Sequence, residues 1–123
     1  MLFESEIGNH SIVIDVPPSM GGTDRGPTPP QVFVASLGSC IGAFVANYCE
    51  NVGIDTADMT VDVTFDKVED PTRLVNLKVR VNMPHGDYKG RRKAILRVAE
   101  HCPVHETICN LEGIDIELKG KPE

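Results

Sequence analysis

Between Gly26 and Cys49 the chain runs 24 residues without a charged side chain. Proline in a first helical turn and glycine just past a last one mark helix boundaries, so Pro30 and Gly53 predict one helix from Pro30 to about Asn51. Leu37, Cys40, Ile41, Phe44 and Tyr48 share a face of it, while Phe33, Val34, Val45 and Ala46 leave little polar surface elsewhere. A helix apolar on every side is a buried one. The rest of the chain must therefore wrap it, and a 123-residue chain, expected to form a single domain over residues 1–123, has difficulty surrounding so long a helix alone. Gly38 and Gly42 would let a second backbone approach, which predicts a dimer with this helix near the interface.

The same run is a poor membrane span, because Pro27, Pro29, Pro30, Gln31 and Asn47 shorten and polarise it. The opening Met-Leu-Phe-Glu-Ser-Glu places acids where a secretory signal would carry a basic segment. The expectation is a cytoplasmic protein with no membrane partner. A formal net charge of -6 argues against a nucleic-acid partner, since counterion release needs clustered cations facing phosphates. Lys89, Arg91, Arg92, Lys93 and Arg97 do cluster, and read as one solvated helix face.

The flanks read as an α+β domain. Leu2 to Ile7 and Ile12 to Val16, on either side of Gly8-Asn9, suggest a hairpin. Val16 to Pro30, with five prolines and three glycines, is a loop and reads as ordered over a site. Met59, Val61, Val63 and Phe65 alternate with polar residues, as do Val75, Leu77, Val79, Val81 and Met83, predicting an antiparallel hairpin with one buried face. Arg91 to His101 follows as a helix, then Pro103 starts a shorter one through Val104, Thr107, Ile108 and Leu111. Ile114, Ile116 and Leu118 alternate with Asp115, Glu117 and Lys119 as a last strand. The predicted order is ββ-α-ββ-αα-β.

Four cysteines in a reducing compartment point to catalytic, metal-binding or plainly buried roles rather than a disulfide framework. Cys102, ahead of Pro103, falls at a helix N-cap, where unpaired amides and the helix dipole favour a thiolate. His101 and His105 would add positive charge if protonated. Cys40, inside the apolar helix, has no such help and is inert unless a cation reaches it. Arg25 is the only Lys or Arg among the first 66 residues, so it is the candidate, in the same chain or across a dimer. Cys49 reads as core. Cys102, His105 and Cys109 share a helix face and offer a weaker zinc reading.

Gly26-Pro-Thr-Pro-Pro-Gln-Val-Phe-Val-Ala-Ser-Leu-Gly-Ser-Cys40, together with His101-Cys102-Pro-Val-His-Glu-Thr-Ile108, resembles the OsmC/Ohr family of osmotically inducible and organic hydroperoxide resistance proteins. The resemblance covers about residues 1 to 120. It implies an OsmC-like fold, antiparallel sheets around a long buried central helix, in an intertwined homodimer with two active sites at the subunit interface. In similar enzymes the helix cysteine, here Cys40, attacks the peroxide and the second, here Cys102, resolves the product. An arginine held by a glutamate activates the first thiol; the carry-over to Arg25 is by position only. The glutamate position falls on Pro30 or Gln31, so that acid is missing here.

These readings combine into thiol-dependent reduction of organic hydroperoxides by Cys40 and Cys102, in oxidative-stress defence. Gln31, Phe33, Leu37, Phe44 and Tyr48 are the expected pocket. The partners are a hydroperoxide substrate and an external dithiol reductant, with no metal or other cofactor. The alternative is a non-catalytic, redox-sensing or small-ligand-binding dimer of the same fold.

Overall fold

The computed structural model describes residues 1–121. Two strands, β1 (Leu2–Ile7) and β2 (His10–Asp15), form an antiparallel hairpin closed at Gly8-Asn9, with Ile7 paired to His10. A loop with a 3-10 turn at Pro18–Met20 leads to α1 (Pro29–Asn51). Thr28 caps α1 and its amide donates to Gln31 Oε1 at 2.9 Å, which satisfies one group the helix start would leave unpaired. At the other end Gly53 takes φ 78°, the left-handed conformation glycine adopts cheaply, and Ile54 N donates back to Cys49 O at 2.8 Å.

A second antiparallel hairpin joins β3 (Thr60–Val68) to β4 (Arg73–Asn82). A register shift between Thr64 and Asp66, opposite Asn76 at φ 55°, bulges the pair. That bulge turns Phe65 outward, so the alternation that holds at Val61, Val63, Leu77, Val79 and Val81 does not carry Phe65 inside. Helices α2 (Arg92–Glu100) and α3 (Pro103–Cys109) complete the element order.

The core is the covered stripe of α1, where Leu37, Ile41, Val45 and Cys49 pack with Ile54, Met83, Ile95 and Cys102. Truncating a buried leucine such as Leu37 to alanine costs about 2–5 kcal/mol in sites of this kind. Val34, Gly38 and Gly42 join the stripe. A Cβ on Gly38 would stand 2.9 Å from Val63 Cγ2, and on Gly42 2.9 Å from Val61 Cγ2. The glycines therefore admit β3 of the same chain, and not the second backbone expected from their spacing. By length and composition α1 could cross a bilayer, yet here it is the helix on which β3, β4, α2 and α3 assemble.

At the margins one face of α1 stays open, and one predicted strand is missing. The face of α1 bearing Phe33 and Phe44 is 44% and 40% exposed, so the chain covers one stripe of its apolar helix and leaves another open. The predicted last strand is absent: residues 111–119 have no strand pairing, and Ile114, Ile116 and Leu118 are 75%, 91% and 99% exposed. Alternation marks a segment able to be a strand, but a strand exists only beside a neighbour, and neither two-stranded sheet of this chain receives it.

Candidate functional site

Cys40 lies in the middle of α1, and Cys102 is the N-cap residue of α3. α3 packs on α1, and Cys40 packs against the core cluster that contains Cys102. Their surroundings differ. Cys40 is half-buried, whereas Cys102 is fully buried at 0% exposure inside the core. All four cysteines are free thiols.

The cap at Cys102 has the predicted form. Its extended backbone, with φ -68° and ψ 143°, lets Sγ accept from His105 N at 3.3 Å, while its carbonyl accepts from Glu106 N at 2.9 Å. The direction of its acidity is the reverse of what the cap alone predicts. Burial pushes the Cys102 thiol up, the His105 amide pulls it back in part, and the neighbouring Cys40 adds a further upward push. Removing a sulfur from water thus outweighs the amides of one short helix. Cys49, equally buried, is pushed up by burial as well.

Arg25 goes elsewhere. Asp15, at the end of β2 and 1% exposed, is the buried carboxylate that takes the guanidinium. Arg25 Nε donates to Asp15 Oδ2 at 3.2 Å and Nη2 to Oδ1 at 3.3 Å. The amides of Val16, Thr23 and Arg25 donate to the same carboxylate at 3.0, 3.0 and 3.1 Å. The Arg25 guanidinium first, then the Thr23 amide, hold Asp15 well below the usual carboxylate range against the opposing effect of burial. The expected acid partner of Arg25 therefore exists, but it is Asp15, ten residues earlier in the chain rather than at Pro30 or Gln31. With Nε and Nη2 on Asp15, Arg25 is held to the loop of its own chain.

The expected pocket is dispersed. Leu37 is in the core, Tyr48 is half-buried and its hydroxyl accepts from Arg91 Nη1 at 3.2 Å, and Gln31 serves the α1 cap. Phe33 and Phe44, seven residues before and four after Cys40, flank the thiol along one helix face and form an open apolar strip. Neither of two surface grooves includes either thiol: one of 550 Å³ runs between α1 and β3, the other of 690 Å³ between β4 and α1 to α3. His105 turns Nδ1 to Glu100 O at 2.8 Å, with Cys109 Sγ 3.6 Å from Nε2. No cluster of three side chains able to hold a metal forms among the described residues, so the zinc reading of Cys102, His105 and Cys109 has no geometric support.

The model of the OsmC family, OsmC-like protein, matches residues 22–119. The chain belongs to the OsmC-like family. An osmotic stress induced and detoxification response protein from Psychrobacter arcticus has a similar structure, with a TM-score of 0.72 at 21% identity over 86% of this OsmC-like chain and 85% of its own. An OsmC like protein from Mycoplasma pneumoniae gives 0.69 at 19% identity over 89% and 80%. A protein from Legionella pneumophila, described as organic hydroperoxide resistance protein OsmC, gives 0.58 at 17% over 89% and 90%. No curated protein matches the sequence significantly. At these identities the structural likenesses establish the OsmC-like α+β fold.

Proposed function

We propose that this OsmC-like chain is a two-cysteine peroxidase acting on organic hydroperoxides in oxidative-stress defence. The observation that carries the reading is the meeting of a partly accessible thiol with a sealed one at the α1–α3 contact. Cys40 Sγ, as thiolate, attacks the O–O bond; the S–O bond forms, the alcohol leaves with a proton, and Cys40 becomes a sulfenic acid. Cys102 Sγ then attacks the Cys40 sulfur, the S–S bond forms, and water leaves. An external dithiol returns both thiols to the reduced state. The open strip of Phe33 and Phe44 beside Cys40 suits a peroxide with an apolar body.

The reading includes a cytoplasmic homodimer. Two-stranded sheets are marginal alone, and the exposed Leu2, Phe3, Ile7, Phe33, Phe44, Ile114, Ile116 and Leu118 form more apolar surface than a monomer keeps wet without reason. A second reading, a non-catalytic redox-sensing or ligand-binding dimer, draws support from one fact: the cation expected at Cys40 is engaged by Asp15. Stopped-flow thiol consumption with cumene hydroperoxide and with hydrogen peroxide separates the two. Peroxide-dependent loss of two thiols per chain, faster with cumene hydroperoxide and absent in Cys40→Ser, is the expected result. No peroxide-dependent loss in the wild type rejects the peroxidase.

A further inference from the structure

Cys109 is the one exposed cysteine among the described residues, and no step of the cycle above uses it. It follows His105 by four residues, the spacing that sets two side chains side by side on a helix. The nearer ring nitrogen, Nε2, stands 3.6 Å from Cys109 Sγ. The other, Nδ1, is 2.8 Å from the carbonyl oxygen of Glu100, which can only accept, so Nδ1 carries the ring proton and donates it there. Nε2 is thereby left with its lone pair toward the thiol. A thiol, a base within reach and a group that orients the base are the three parts of an activated nucleophile. Here the orienting group is the last main-chain carbonyl of α2.

The pair opens on a cavity. His105 and Cys109 both line the 690 Å³ groove between β4 and α1 to α3, whose walls are mostly apolar and include Leu37, Ile41, Val79 and Leu96. Phe33 and Phe44, on the face of α1 given above to the dimer contact, are not part of it. We propose that Cys109 and His105 form a second nucleophilic site, which adds to α,β-unsaturated ketones and aldehydes whose apolar tails lie in this groove. His105 Nε2 takes the proton of Cys109 Sγ as the sulfur bonds to the β-carbon. The π pair of the C=C bond moves toward the carbonyl as an enolate, and the α-carbon then takes the proton back from Nε2. An S–H bond and a C=C π bond are lost, a C–S and a C–H bond are gained, and nothing leaves.

The surroundings of the sulfur favour this class of electrophile over an acyl group. Conjugate addition asks only for a base that turns into an acid, which one imidazole supplies. Acyl transfer also needs amide donors for a tetrahedral oxyanion. Cys109 is the last residue of α3, and a helix end of that kind presents carbonyls rather than amides. Glu106 Oε1, 3.9 Å from His105 Nδ1, would steady the imidazolium while it holds the proton. The site does not depend on the Cys40 and Cys102 cycle.

The test uses two probes, trans-3-penten-2-one and trans-3-nonen-2-one, which carry the same enone and differ only in the length of the tail. Each is mixed with the full chain at neutral pH, quenched with excess 2-mercaptoethanol at timed intervals, and the adduct on each cysteine is measured by peptide mapping in the mass spectrometer. Cys109 should react at least about tenfold faster with the longer enone, because each further methylene gains by leaving water. His105→Gln should slow both probes about tenfold or more while the tail preference and the melting temperature stay as they were. Leu96→Ser, at a side chain already 53% exposed, should cut the tail preference about threefold and leave the shorter probe's rate unchanged. Equal rates for the two probes at Cys109, or a His105→Gln chain that reacts as fast as the wild type, overturn the proposal. These rates are read at Cys109 alone, so loss of peroxide-dependent thiol consumption rejects the peroxidase and leaves this site standing.

Discussion

Asp15 and Cys102 are both fully buried titratable side chains, and the fold treats them oppositely. Asp15 receives three backbone amides and a two-pronged guanidinium, and is held ionised. Cys102 has the His105 and Val104 amides and an apolar surround, and is pushed toward its neutral form. The difference lies in where the one Lys or Arg of the first 66 residues is used. Arg25 completes the Asp15 clamp that holds the Pro/Gly loop against β2 of its own chain. Charge compensation organises one site, and exposure differences organise the other.

The largest effects fall on the thiol corner. Cys40→Ser should reduce peroxide-dependent thiol loss to background, a fall of roughly 10²-fold or more, because a hydroxyl is a far poorer nucleophile than a thiolate. Cys102→Ser should still consume one equivalent of cumene hydroperoxide and then stop with Cys40 as a sulfenic acid, detected by dimedone labelling. If Cys102→Ser instead abolishes the first equivalent and Cys40→Ser keeps it, the attacking and resolving roles are reversed.

Next in size is the clamp. Asp15→Ala strands three backbone amides, one of them buried, and a guanidinium, and should lower the melting temperature by about 5 °C or more, read by circular dichroism. Arg25→Ala should lower it less, because the amides of Val16, Thr23 and Arg25 still satisfy the carboxylate. The comparison breaks if Arg25→Ala leaves the melting temperature unchanged while slowing peroxide consumption tenfold. Arg25 would then act on a thiol, and in a dimer that thiol would belong to the second copy.

Much of this was legible in the sequence, and the omissions share a cause. The long helix was marked by Pro30 and Gly53, and the second hairpin by its alternation, because both signals are local. Cys102 as an N-cap was likewise legible from Pro103. Its acidity was not, since burial comes from α1 packing on α3, with Leu37, Ile41 and Val45 more than fifty residues away in the chain. The singular Arg25 was visible, but its acid was sought near Cys40, whereas the loop from Val16 to Pro27 folds it onto Asp15. The segment Ile114 to Leu118 had the pattern of a strand, and nothing in a pattern says what will lie beside it. Each omission is a matter of which distant residue arrives.

The smallest effect, and the most direct test of the contrast, is the dependence of stability on pH. Asp15 has a lowered pKa in the folded chain, so its contribution is present above the ordinary carboxylate value of about 4 and is lost as pH falls below it. Cys102 has a raised pKa, so its contribution is complete below the ordinary thiol value of about 8.5 and is lost as pH rises through the folded value. The two groups therefore shape opposite ends of one curve. Urea unfolding across pH 3 to 10 should show Asp15→Asn flattening only the acid limb, and Cys102→Ser reducing the slope only of the alkaline limb. One proton contributes at most about 1.4 kcal/mol per pH unit. Some alkaline slope should survive in Cys102→Ser because Cys49 is raised by burial too. An alkaline limb unchanged in Cys102→Ser would mean that the cap amides offset burial after all, and the two sites would then differ in degree rather than in kind.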